Sequence, residues 1–304
     1  MIFERKIYKK LLEWKNESHG QTALLIKGAR RVGKSTVARE FGKNEYETFI
    51  AIDFAQCPAE VKELFEDISD LDFIFMRLQM IYDVELKERK SLIIFDEVQL
   101  CPKARQAIKY LVEDGRYDYL ETGSLLSIRQ NVKGIVIPSE EEEVTLSPLD
   151  YEEFRWALGD KVSVPLLRQF FDKRKGMGDT ANRSTMRDFR LYMLVGGMPQ
   201  AVVTYIETKN LAKVDHTKRN IIKLYEKDFN KIDRSGNASK MFHAIPSQLQ
   251  SNASRYIVAA ATDGGRKNRL METISDMEDS MVVNIANHVD DPNVGMAQTM
   301  NKNA

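Results

Sequence analysis

Eight consecutive residues, Gly28-Ala29-Arg30-Arg31-Val32-Gly33-Lys34-Ser35, have the types and spacing needed to grip a polyphosphate. The glycines let backbone N–H groups approach phosphate oxygens, and a helix opening at the loop's end adds partial positive charge. Lys34 would reach the outer phosphates, and the Ser35 hydroxyl would ligate Mg²⁺. Ala29, Arg30, Arg31, Val32 and Thr36 complete the cradle. A second group, Leu92-Ile93-Ile94-Phe95-Asp96-Glu97, carries two acids to the end of an apolar run. Asp96 would hold the metal through its water shell, and Glu97 could polarise a water for in-line attack on a γ-phosphate. Thr122 and Ser124 lie in Glu121-Thr122-Gly123-Ser124 and would border the same place if their strand runs between the other two. One of them could then orient the water. The expected ligands are ATP and Mg²⁺, and the expected reaction is ATP hydrolysis.

These residues need a scaffold, and the chain spells one. An amphipathic helix over 3–16 precedes a buried strand over 22–26, then the glycine-bounded loop and a helix over 35–41. Thr48–Asp53 reads as a strand followed by a Pro58-led helix. A helix over 71–89, a strand over 91–95, a helix over 102–113 and a strand over 117–122 continue the alternation. Apolar strands alternating with helices imply an α/β fold with a parallel sheet covered on both faces. The run Glu140 to Glu143 reads as a solvated loop. From about 151 to 230 the pattern is helical, broken at Gly159, at 176–178 and at Gly196-Gly197-Met198-Pro199. Three short helices over 238–276 and a strand over 281–285 follow, in the order of a winged helix.

Lys+Arg and Asp+Glu both number 45, so no global field draws the protein towards nucleic acid or an anionic membrane. Two cysteines and scattered histidines give neither a disulfide framework nor a zinc site. No signal peptide or membrane-spanning run is present, which points to a cytoplasmic protein. Asn230-Lys231-Ile232-Asp233 has the spacing by which many GTPases choose guanine, yet it sits on a helical pattern far from the α/β part, so ATP is expected over GTP. Arg266, Lys267 and Arg269 concentrate cations at the start of a helix and are the candidate DNA contacts.

Taken together, Gly-Ala-Arg-Arg-Val-Gly-Lys-Ser, Ile-Ile-Phe-Asp-Glu-Val-Gln, Glu-Thr-Gly-Ser, Leu-Ser-Pro-Leu-Asp-Tyr-Glu-Glu-Phe and Val-Gly-Gly-Met-Pro-Gln-Ala-Val resemble a prokaryotic AAA+-like ATPase family over nearly the whole chain. The resemblance implies an ATPase domain over 1–155, a helical lid or linker over 156–232 and a winged-helix-like domain over 233–304. Family members usually continue into a domain resembling restriction endonucleases, and this chain reads as truncated or naturally short of it. The family often carries Gly-Arg shortly before the Pro-Leu segment. Here Glu-Glu-Glu-Val-Thr-Leu-Ser-Pro stands instead, and no arginine finger is assignable. A protein partner or a homo-oligomer stays open. Three functions follow from different classes: an ATPase that switches the placement of its parts, an ATP-liganded DNA- or protein-binding regulator with negligible hydrolysis, and a phosphotransferase, for which no acceptor pocket is evident.

Overall fold

The computed structural model describes residues 1–123, 139–233, 235–250, 256–262 and 267–286. Its sheet is parallel and contains β1 (Ala23–Lys27), β2 (Thr48–Asp53), β3 (Ser91–Asp96), β4 (Asp118–Gly123) and β5 (Glu141–Thr145), in the order β2-β3-β4-β1-β5. Every residue of β3 and β4 is buried, as expected of central strands covered on both faces. β4 lies between β1 and β3, which meets the condition set for Thr122.

The helices are those the apolar spacing demands. α1 (Ile7–Ser18) buries Ile7, Leu11 and Trp14, and α2 (Lys34–Glu45) buries Val37, Ala38 and Phe41. A Cβ added to Gly42 would sit 3.0 Å from the Phe49 ring, so glycine there permits close approach of α2 to the sheet. On the other face α3 (Ala59–Glu63), α4 (Leu71–Tyr82) and α5 (Pro102–Asp114) cover Leu25, Ile93, Phe95 and Tyr119 with Val61, Ile74, Leu78, Ile108 and Leu111. α4 is shorter than expected. Asp83 takes a left-handed conformation at its C-terminus, and the Gln79 side chain accepts from the Leu86 N–H at 2.8 Å, turning the chain towards β3.

The glutamate run is not a loop. It forms the edge strand β5, whose backbone pairs with β1 from Ala23↔Glu141 to Lys27↔Thr145. Hydrophobic alternation could not reveal it, because only Val144 of this strand is buried. Backbone pairing and charge hold it: Lys27 pairs with Glu143, and Arg105 of α5 grips Glu141 with two hydrogen bonds of 3.0 and 2.7 Å.

Beyond β5 the chain is helical, with α6 (Tyr151–Ala157), α7 (Ser163–Asp172), α8 (Asp179–Val195), α9 (Pro199–Thr208) and α10 (Leu211–Ile232). Asp150 and Glu153 form a reciprocal capping box on α6. Leu149, Phe154, Val195, Ala201, Val202 and Val214 make a small core of their own.

By contacts the chain divides into two compact units, Met1–Ile221 and Ile222–Ala304, so most of the helical segment falls in the first. In the second unit, α11 (Asn237–Gln250) and α12 (Lys267–Asp279) enclose Phe229, Met241, Leu270 and Met277. Met281–Ile285, expected as a strand, runs as turn, bend and irregular backbone. An isolated apolar run pairs as a strand only where another strand offers its backbone, and none does among the described residues of this unit.

Candidate active site

β1 ends at Lys27, and Gly28–Gly33 turn the chain into α2. A Cβ on Gly28 would lie 2.2 Å from the Leu146 carbonyl oxygen, so only glycine fits where the loop passes the segment after β5. Arg31 and Gly33 adopt left-handed backbone, with φ of 69° and 99°. Ala29 and Val32 are buried and pin the loop, while Arg30, Arg31 and Thr36 are exposed. The loop thus presents its N–H groups at the start of a helix, the arrangement suited to anions.

Lys34 is 6% exposed, and its ammonium donates to the carbonyls of Gly28 and Ala29 at 3.1 and 3.0 Å. Burial pushes its pKa below the ordinary value, against the upward pull of Glu97 and Asp96. β3 delivers Asp96, 3% exposed, beside the first turn of α2. Ser35 Oγ donates to Asp96 Oδ1 at 2.7 Å, and Thr122 Oγ1 donates to the same oxygen at 2.5 Å. Arg39 lies 3.6 Å from the other carboxylate oxygen. The Ser35 hydroxyl and Asp96 carboxylate form an oxygen-only pair, which fits a hard cation such as Mg²⁺ that draws its remaining ligands from water and phosphate.

Glu97 follows in left-handed backbone with φ of 55°, which turns its side chain away from the strand's alternation. Its N–H donates to Thr122 Oγ1 at 3.3 Å, and the Gln99 amide donates to its carboxylate. Thr122 is therefore a strut: one hydroxyl touches Asp96 and the backbone of Glu97. Ser124 lies outside the described residues, as does Arg266. Lys267 and Arg269 fall in the first turn of α12.

Sequence reasoning missed Arg5. Its guanidinium, 6% exposed, donates to the Val32 carbonyl in the loop at 3.0 Å and to the Ser147 carbonyl at 2.6 Å. It also pairs with Glu153 at 3.2 Å. A lone arginine ahead of a helix carries no signal of this; the nearest clue was the Leu-Ser-Pro-Leu-Asp-Tyr-Glu-Glu-Phe motif, whose Ser147 and Glu153 it binds. Gly197 was legible as a break but not as a contact. Its carbonyl accepts from the Leu149 N–H at 2.7 Å, and a Cβ there would come within 2.0 Å of the Leu149 oxygen. Pro199, two residues on, stands close to the loop: a Cβ on Gly33 would be 3.9 Å from its ring.

A phosphate-binding loop and the acid-tipped strand β3, with the polar end of β4 between them, define the fold of a P-loop α/β nucleotide-binding domain. Residues 20–155 match the family model described as an AAA domain. Residues 186–303 match a model described as a domain of unknown function (DUF8612). No curated protein matches the sequence. Among solved structures, the chain is similar to PCH-2 of C. elegans at 12% identity and a TM-score of 0.39, covering 69% of this chain and 65% of that one. It is also similar to the Aeropyrum pernix ORC1 protein, solved in complex with DNA, at 13% identity and a TM-score of 0.33, covering 99% and 88%. The Pif1 helicase of Candida albicans matches at 12% identity and a TM-score of 0.29 over 60% and 47%. The chain thus spans slightly less than two thirds of PCH-2. No helix among the described residues is long and apolar enough to cross a membrane.

Proposed function

We propose that the chain binds ATP with Mg²⁺ at the Gly28–Thr36 loop and hydrolyses it, using the turnover to move its helical parts. The observation that carries this reading is the meeting of Ser35 and Thr122 on one oxygen of Asp96, beside the buried Lys34. Ser35 and Asp96 would hold the cation, which supplies neutralisation of charge on the phosphates. Lys34 would exchange its two loop carbonyls for phosphate oxygens, a better match for a buried ammonium. Glu97 would orient a water and accept its proton, with Gln99 and Thr122 fixing where its carboxylate points. Thr122 acts in this account as a positioning residue, since its hydroxyl is already engaged by the two acids. Arg5 ties the loop to Ser147 and Glu153, and Pro199 abuts Gly33, so loop movement on turnover would pass into α6 and α9.

A regulator that binds ATP and scarcely hydrolyses it is the second reading, favoured by the cations Arg266, Lys267 and Arg269 as a DNA contact and disfavoured by Glu97. Asp233 accepts from the N–H groups of Ser235 and Ala238 at 2.9 Å each, so it caps the turn into α11 and is engaged away from any base. ATP is therefore expected over GTP. Competition binding with both nucleotides, run with and without Mg²⁺, tests the proposal: tighter binding of GTP, or affinity and phosphate release indifferent to Mg²⁺, would contradict it. Phosphate release with and without duplex DNA separates the two readings. DNA affinity should fall steeply with salt and be lost in a triple alanine variant of Arg266, Lys267 and Arg269.

A further inference from the structure

Two surfaces of the first unit are built alike and charged oppositely. On α4, Phe73, Met76 and Met80 recur at helical spacing yet are 50%, 56% and 73% exposed. Beside them, α3 and the turn into α4 form a groove of about 450 Å³ lined by Glu60, Glu63, Asp67, Asp70, Phe73 and Arg77. On α8, Met186, Phe189 and Met193 form the same kind of exposed stripe, at 41%, 38% and 65%. Arg183, Arg187 and Arg190, spaced four and three, run as an exposed row next to it. α7, which precedes α8 through the turn Lys173-Arg174-Lys175, is a ten-residue helix without one buried residue, and Phe171 on it is 84% exposed.

An amphipathic helix with no buried residue has its apolar stripe waiting for a partner, and exposed apolar stripes rimmed by charge mark interaction surfaces. The whole chain is neutral, so segregation of acid beside one stripe and base beside the other is a local feature. We infer that the acidic face of α3 and α4 on one copy receives the basic hairpin α7–α8 of a second copy. Phe and Met stripes would meet, Met supplying an adaptable surface, while Arg187 and Arg190 would face Glu63 and Asp67. The two faces differ, so the contact is heterologous, and every open assembly retains one free face of each kind at its ends, growing as a filament unless a ring closes. This inference is independent of ATP hydrolysis.

Sedimentation of the full chain tests it with two double variants, Glu63→Lys/Asp67→Lys and Arg187→Glu/Arg190→Glu. The parent should associate at low salt and dissociate as salt rises. Each variant alone should associate on the order of 10²-fold more weakly, because like charges then oppose each other. An equimolar mixture of the two should associate again, since the intact hairpin meets the intact acidic face and the reversed hairpin meets the reversed face, each with opposite charge. That outcome also shows both variants to be folded. The inference is overturned if the parent is monomeric at low salt, if either variant associates like the parent, or if the mixture stays monomeric. A monomeric parent whose hairpin binds duplex DNA, with that binding lost in Arg187→Glu/Arg190→Glu, would assign the hairpin to nucleic acid instead.

Discussion

The sheet's carboxyl edge and the α7–α8 hairpin treat their side chains in opposite ways. At the edge, Lys34, Ser35, Asp96, Glu97 and Thr122 spend their polar atoms on one another and on loop carbonyls, inside a wall of buried residues. In the hairpin, Phe171 and Met193 face outward, and the arginines run along the surface. The contrast separates two kinds of information. A site that does chemistry within one chain must be complete in that chain, whereas an association surface looks unfinished until its partner is present.

Substitutions at the edge should therefore act on binding and fold together, with effects graded by how many partners each residue serves. Lys34→Ala should weaken ATP binding about 10–10²-fold, the 1.5–3 kcal/mol of a hydrogen bond to a charged group, and lower turnover with it. Calorimetric titration beside phosphate release checks this; unchanged affinity would detach Lys34 from the phosphates. Gly28→Ala forces a Cβ onto the Leu146 oxygen and should cost about 1–3 kcal/mol of stability as overpacking does, with nucleotide binding impaired. Thermal melts with and without ATP report both. Thr122→Val keeps the shape but removes one of the donors to Asp96 and strands the Glu97 N–H, so a loss of about 1–2 kcal/mol in stability and roughly tenfold in single-turnover rate is expected. A variant with normal rate would mean the strut is dispensable.

A pH-dependent effect lies beside the site. Glu121 is fully buried next to Glu141, and both its oxygens lack a donor; burial, and then the Glu141 charge, push its pKa well above the ordinary value despite Arg105. A proton retained on Glu121 would donate to Glu141. As pH rises past the ordinary glutamate value, the unfolded chain loses this proton before the folded one does. Stability should therefore fall with rising pH, by up to about 1.4 kcal/mol per pH unit for one proton, until the raised folded pKa is passed. Glu121→Gln should abolish this slope. Melting both proteins from pH 5 to 8 decides it: parallel curves would show that Glu121 titrates alike in both states.

The same contrast explains what was legible in the sequence. β1, β3 and the loop were readable because burial on both faces writes apolar runs, and because glycine, lysine and serine at fixed spacing have few other uses. β5 was not, since an edge strand held by backbone bonds and by Arg105 and Lys27 leaves only Val144 as an apolar mark. The early end of α4 rests on the left-handed Asp83, which periodicity does not register. Arg5 escaped because its contacts to Val32, Ser147 and Glu153 join residues remote in sequence. Thr122 was expected beside Asp96 and Glu97, but only the strand order and hydrogen bonds make it a strut between the two acids.

The central claim is that Glu97, set one residue beyond the metal-side acid and aimed by Thr122 and Gln99, drives hydrolysis without being needed for ATP binding. Glu97→Gln preserves shape and removes charge and basicity. Single-turnover hydrolysis and calorimetric ATP affinity, measured on this variant and the parent, should show affinity kept or raised while the rate falls by about 10²–10⁴. A Glu97→Gln protein that hydrolyses ATP at the parental rate would contradict the account.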